Sequence, residues 1–88
     1  MDTDTLIKRF KTFVETDDLS SAVIFFEELQ TEEDIPWDYV YQKVYLHACL
    51  KKQRRFVDWM NSLFERLAPI EKIALRQMFA YGRYLFNK

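Results

Sequence analysis

Only three of the 88 residues, Gly82, Pro36 and Pro69, carry backbones that break a helix or open a tight turn. A chain so poor in breakers has few places to reverse direction sharply, and its long side chains favour helices joined by short polar turns. Period-two alternation of apolar and polar residues never lasts beyond a few positions, so no strand pattern competes. The expected fold class is all-α.

Five helices can be read. The first, roughly Thr3–Thr16, places Leu6, Ile7, Phe10, Phe13 and Val14 on one face. Thr16-Asp17-Asp18 ends it and offers a cap to a second helix, roughly Leu19–Gln30, where Leu19, Ala22, Val23, Phe26 and Leu29 share a face while Ile24 and Phe25 point elsewhere. The acidic run Thr31–Asp34 reads as a turn, and Pro36 suits the first turn of a third helix reaching about Leu50. There Val40, Tyr41, Val44, Tyr45 and Ala48 form one stripe, with Leu46, Cys49 and Leu50 off it. After Lys51-Lys52-Gln53-Arg54-Arg55, a fourth helix of roughly Arg54–Leu67 aligns Phe56, Trp59, Met60, Leu63, Phe64 and Leu67. Pro69 opens the last, about Ile70–Asn87.

Length argues for a single domain over residues 1–88, since two cores of this size would each bury too little surface to offset chain entropy. Aromatic residues make up 17% of the chain, enough to serve a small core and to leave some for a surface. No stretch approaches the ~20 apolar residues a membrane-spanning helix needs. The N-terminus is acidic where a signal or transit peptide would be basic, and the single cysteine, Cys49, has no partner in the chain for a disulfide. Both point to a reducing, cytoplasmic setting, in the protein's own cell or a host's.

The helices read as pairs. Leu19, Ala22, Val23 and Phe26 correspond to Phe56, Trp59, Met60 and Leu63, each 37 positions on, and Phe26-Glu27-Glu28-Leu29 echoes Phe64-Glu65-Arg66-Leu67 at 38. This spacing over residues 6–67 resembles tetratricopeptide-like α-hairpin repeats, and the resemblance implies stacked helical hairpins. The small residues and turn proline of that repeat are missing, and Trp59 stands where it favours alanine. An ordinary bundle of two antiparallel helical hairpins plus a C-terminal helix carries the same spacing.

Catalytic and metal chemistry find little to work with. His47 and Cys49 are the only residues of their kinds, and two positions apart on a helix they project about 200° from one another. They cannot act together as nucleophile and base, and zinc needs three or four such ligands. His47, with Lys43 and Lys51 one turn away on either side, is expected on a basic, half-solvated face, and Cys49 as a small core hydrophobe. The acidic turn has no glycine of the kind a calcium loop uses, and the lone Gly82 cannot build a phosphate-cradling loop. The expectation is no enzyme, no cofactor and no metal.

Surfaces remain. Residues 1–38 hold eleven acids and three bases, and residues 39–88 hold ten bases and three acids. Such a split bears on association rather than on fold. Lys51, Lys52, Arg54 and Arg55 form the densest basic cluster, whose counterpart would be phosphate or an acidic protein patch. In the last helix, Ile70, Ile73, Ala74, Gln77, Tyr81, Tyr84 and Leu85 form one arc. Leu75, Phe79, Gly82 and Phe86 form a second, about 130° away. One apolar face suffices for a terminal helix, so two readings fit. Either the helix inserts deeply between the hairpins, or the second stripe, Leu75, Phe79 and Phe86 with Arg76 and Arg83 beside them, faces a partner; the latter is the expectation.

The composition therefore points to a protein–protein interaction module, an adaptor, assembly factor or accessory subunit, docking through its C-terminal helix and basic end. The partner would be another protein or a second copy. So unadorned a chain would suit a viral or phage morphogenesis factor. The alternatives are a nucleic-acid-binding or transcription-regulating protein using Lys51–Arg55 with Arg76 and Arg83, and a structural subunit of a large complex. A pI of about 5.8 sets nucleic acid second.

Overall fold

The computed structural model describes residues 2–32, 34–66 and 69–88, without the side chains of residues 69–72 and 74. Leu67, expected in the core stripe of the fourth helix, and the side chains of Ile70, Lys72 and Ala74 lie outside the described residues. The described residues form helices and turns with no strand: α1 Thr3–Glu15, α2 Leu19–Glu28 followed by a 3-10 turn Leu29–Thr31, α3 Trp37–Leu50, α4 Arg54–Phe64 and α5 Pro69–Asn87. The all-α bundle expected from the scarcity of breakers is what forms.

Local chemistry sets the helix ends. Asp2 caps α1, its carboxylate accepting from the Thr5 amide at 3.0 Å and the Thr5 hydroxyl at 2.9 Å. Asp18 caps α2 in the same way, accepting from the Ser21 amide at 3.2 Å and its hydroxyl at 2.7 Å. Each cap satisfies an amide that the first turn leaves without a helical partner.

The α1–α2 and α3–α4 turns are built alike. Asp17 (φ 53°) and Lys52 (φ 60°) both adopt the left-handed conformation, 35 positions apart. Around the first, the Asp18 amide donates to Phe13 O and the Asp17 amide to Val14 O; around the second, the Gln53 amide donates to Ala48 O and the Lys52 amide to Cys49 O. That paired bonding is a Schellman turn, which ends a helix by returning its free carbonyls to the next amides. The hairpins therefore correspond at 35 residues rather than the 37 read from apolar spacing. Leu6 aligns with Tyr41, Phe10 with Tyr45 and Val14 with Cys49, and all six are buried. In the second helices Ala22 aligns with Val57 and Phe25 with Met60, again all buried. Trp59 is not the counterpart of Ala22. Apolar residues recur every three or four positions, so spacing alone cannot set the phase; the turn bonds do.

Helix α3 is the hub, packing on α1, α4 and most extensively on α5, while α2 packs on α1. Val14, Tyr45, Ala48, Cys49 and Phe56 are wholly shielded from solvent along this axis. Phe10 and Phe13 enclose Phe25, at centroid distances of 5.1 and 6.0 Å, so Phe25 faces inward and Ile24 is the residue left outside. Phe26, Trp37 and Trp59 form a second aromatic cluster that is only half buried. Phe13, Phe26, Trp59 and Leu63, each on the expected apolar face of its helix, pack against the core as its partly covered margin.

Polar cross-links tie the layers at their edges. Gln53 Nε2 donates to Val14 O at 2.9 Å, joining the second turn to the end of α1. His47 Nε2 lies 3.2 Å from Glu15 Oε1, and the Tyr45 hydroxyl donates to Asn61 Oδ1 at 3.1 Å. Cys49 sits in the core as a free thiol, and His47 is half buried with its base-rich surroundings supplied by Lys11 and Lys51.

Candidate protein-binding groove

Helix α5 presents its two apolar stripes in the opposite sense to the one expected. Leu75, Met78 and Phe79 are buried against α3, and Leu85 and Phe86 are partly covered. The Phe79 ring packs at a tilt against Tyr45, at 4.5 Å between centroids, and against Phe64, at 3.9 Å. Leu75, Phe79 and Phe86 are therefore core or core margin rather than a partner-facing stripe. The physical reason is Gly82, which shares their side of the helix. A Cβ there would collide with the Tyr45 ring and lie 3.1 Å from Cys49 Sγ, so only glycine lets α5 settle this deeply on α3.

Turning that stripe inward turns the other outward. Ile73, Gln77, Ala80, Tyr81 and Tyr84 are exposed along one face, the tyrosines at 55% and 61% and Ile73 at 73%. The two tyrosine rings stack edge to edge along the helix, 6.4 Å apart and nearly parallel. Sequence reading placed this face in the core. The available signal was chemical: tyrosines, whose hydroxyls tolerate water, stand where the buried stripe carries leucine and phenylalanine.

Arg76 and Arg83, the other residues expected at an interface, are exposed on the edge of this face that borders α4. Helices α4 and α5 meet through Phe64 and Phe79, and two adjoining hollows of about 290 Å³ each lie beside that contact. Their shared floor is Phe64 and Phe79; Ile73, Arg76, Arg83, Asn61 and Glu65 form the rim. Arg76 and Arg83 stand two helical turns apart, about 10 Å along the axis. Neither makes an ion pair among the described residues. Below the rim, burial pushes the Tyr45 hydroxyl up to about 12, helped by neighbouring Cys49 and opposed by the field of Arg83.

The basic cluster is largely engaged within the molecule. Lys52 Nζ donates to Phe86 O at 2.8 Å, closing the C-terminal end of α5 where free carbonyls collect. Arg54 pairs with Asp58 at 3.8 Å and Arg55 with Asp17 at 4.0 Å; Lys51 is exposed. Lys52 thus ties the α3–α4 turn to the end of α5, and the exposed Arg55–Asp17 contact reaches the first hairpin only weakly.

Two further features complete the surface. A dimple of about 20 Å³, the room of a single water, opens among Phe26, Trp37, Trp59 and Leu63. Among the described residues no three side chains of the metal-binding kinds cluster, and no helix is long and apolar enough to cross a membrane. Comparison with protein-family models, with curated proteins and with solved structures finds no match to this chain.

Proposed function

We propose that this chain is a non-enzymatic protein-binding module, an adaptor, assembly factor or accessory subunit, that docks through the outer face of α5 and the α4/α5 groove. One observation carries the reading. Arg76 and Arg83 stand exposed, without an ion pair among the described residues, over an aromatic floor and beside exposed Tyr81 and Tyr84. Arginine offers a planar fork of donors that matches a carboxylate, and tyrosine offers a large stiff surface at small entropic cost. Together they form the composition that dominates binding energy at protein interfaces.

The reading favours a protein partner over nucleic acid. Three of the four bases of the Lys51–Arg55 cluster have partners inside the molecule, and the net charge is −1. A duplex attracts such a net-acidic chain only through a locally basic face, and the charges of this cluster are partly engaged.

Affinity capture from the native source tests the proposal, using the wild-type chain beside a variant carrying Arg76→Glu, Arg83→Glu and Tyr84→Ser. All three positions are exposed, so the variant should fold normally. The expected result is a discrete protein partner held by the wild type and lost, at least about tenfold, by the variant. Identical capture by both chains would refute the assignment of the groove.

A further inference from the structure

We infer that the groove receives the acidic face of α2 from a second copy of this chain, so that molecules join head to tail. This rests on the reading of the α4/α5 groove as a protein-binding site and adds the identity of its occupant. Along the outer face of α2, Ile24 is 57% exposed and is flanked by exposed Glu27 and Glu28. No basic residue occurs in that helix, and neither glutamate has an ion pair among the described residues. The acidic surface continues beyond α2 through exposed Glu32 and Asp34.

Each pole holds what the other lacks. On α5, apolar anchors lie beside Arg76 and Arg83, and on α2 an apolar anchor lies beside Glu27 and Glu28, none of the four in an ion pair among the described residues. Pairing α5 with α5, or α2 with α2, would set like charges against one another, at a cost that opposes both symmetric dimers. The net charge of −1 leaves no long-range repulsion between copies.

The topology decides what kind of assembly follows. Helix α2 packs on α1 and α5 packs on α3, and no extensive contact joins α2 to α5 among the described residues. The two poles therefore belong to different parts of the surface, and joining one to the other leaves a free pole at each end. Such heterologous contacts build open chains unless their rotation closes a ring. One exposed helix face on each side is a small area, so the contact is weak and depends on salt.

Sedimentation velocity of the full chain tests this at about 0.01 M and about 0.5 M salt, where the screening length falls from roughly 30 Å to a few ångströms. The expected result is a mean mass that rises with concentration at low salt and a monomer at high salt. Two variants then isolate the poles: Arg76→Gln with Arg83→Gln, and Glu27→Gln with Glu28→Gln. Each variant alone should stay monomeric at low salt. An equal mixture should form a one-to-one pair and nothing larger, because each molecule keeps a single working pole. Monomers of the wild type at low salt, association that survives high salt, or self-association of either variant would overturn the proposal. An amphipathic helical peptide with two glutamates distinguishes that failure from failure of the groove. If the wild type is monomeric yet the peptide binds it and not the arginine variant, self-pairing is wrong and the groove reading survives. If the peptide does not bind either, both are wrong.

Discussion

Gly82 carries the largest consequence of any single residue, because the depth at which α5 sits on α3 depends on its missing side chain. Alanine is the better helix former by about 1 kcal/mol, which would ordinarily favour Gly82→Ala. Here the new methyl meets Tyr45, which has no exposed surface and nowhere to move. The substitution should therefore destabilise, by about 1–3 kcal/mol of overpacking less the helical gain, read as a lower denaturant midpoint. The two buried tyrosines should respond to different degrees. Tyr45→Phe loses the bond to Asn61 and should cost about 1 kcal/mol. The Tyr41 hydroxyl is buried beside the Phe64 backbone in looser geometry, so Tyr41→Phe should cost less than Tyr45→Phe in the same melt. His47 gives a pH signature. Burial, then the nearby Lys11, holds its imidazole below the ordinary histidine range, against the contact with Glu15. The folded chain thus binds that proton less tightly than the unfolded chain does. The stability from the neutral ring is complete above an unfolded pKa of about 6.5 and declines as pH falls below it. Melting curves between about pH 7 and pH 5 should show a smaller drop for His47→Gln than for the wild type. The buried Cys49 and half-buried His47 were legible in the sequence, since each is alone and neighbouring lysines mark the basic side. The meaning of Gly82 was not, because one glycine in a helix reads as a weak point until the facing ring is known.

At the scale of helices, boundaries and turns could be read closely, while phase could not. The Asp17-Asp18 break and the basic turn both fall where chain polarity changes, so the ends of α1 to α4 follow from composition and capping chemistry. Which residues of α2 and α5 face inward depends on differences of about 100° per position, and hydrophobic residues occupy most of both circumferences. Phe25, expected off the core face together with Ile24, turned inward for this reason, and the two stripes of α5 exchanged roles. The turn geometry supports a further prediction. Asp17 adopts a left-handed conformation that costs a non-glycine residue about 1 kcal/mol, and its pairing with Arg55 at 4.0 Å is exposed and weak. Asp17→Gly should leave stability unchanged or raise it by up to about 1 kcal/mol, visible as a higher melting temperature. On α5 the inner and outer faces should separate cleanly. Phe79→Ala should cost about 3–5 kcal/mol, whereas Tyr84→Ser should stay within about 0.5 kcal/mol.

Over the whole molecule, the charge imbalance of the sequence is partly spent inside the fold. Glu15 meets His47 and Asp17 meets Arg55, so acids from the first hairpin contact basic residues of the second. Of what remains, Glu27 and Glu28 stand exposed on α2, which packs on α1, and Arg76 and Arg83 on α5, which packs on α3. The sequence showed the imbalance but not its location, because hairpins bring distant segments together in ways that charge counts do not encode. The central claim is that α5 buries its phenylalanine stripe and leaves its tyrosine and arginine face free for a partner. Hydroxyl-radical footprinting of the monomer at high salt reads both faces in one experiment. The account predicts rapid modification of Tyr81 and Tyr84 alongside protection of Tyr41, Tyr45 and Phe79. Modification of Phe79 with protection of Tyr81 and Tyr84 would contradict it.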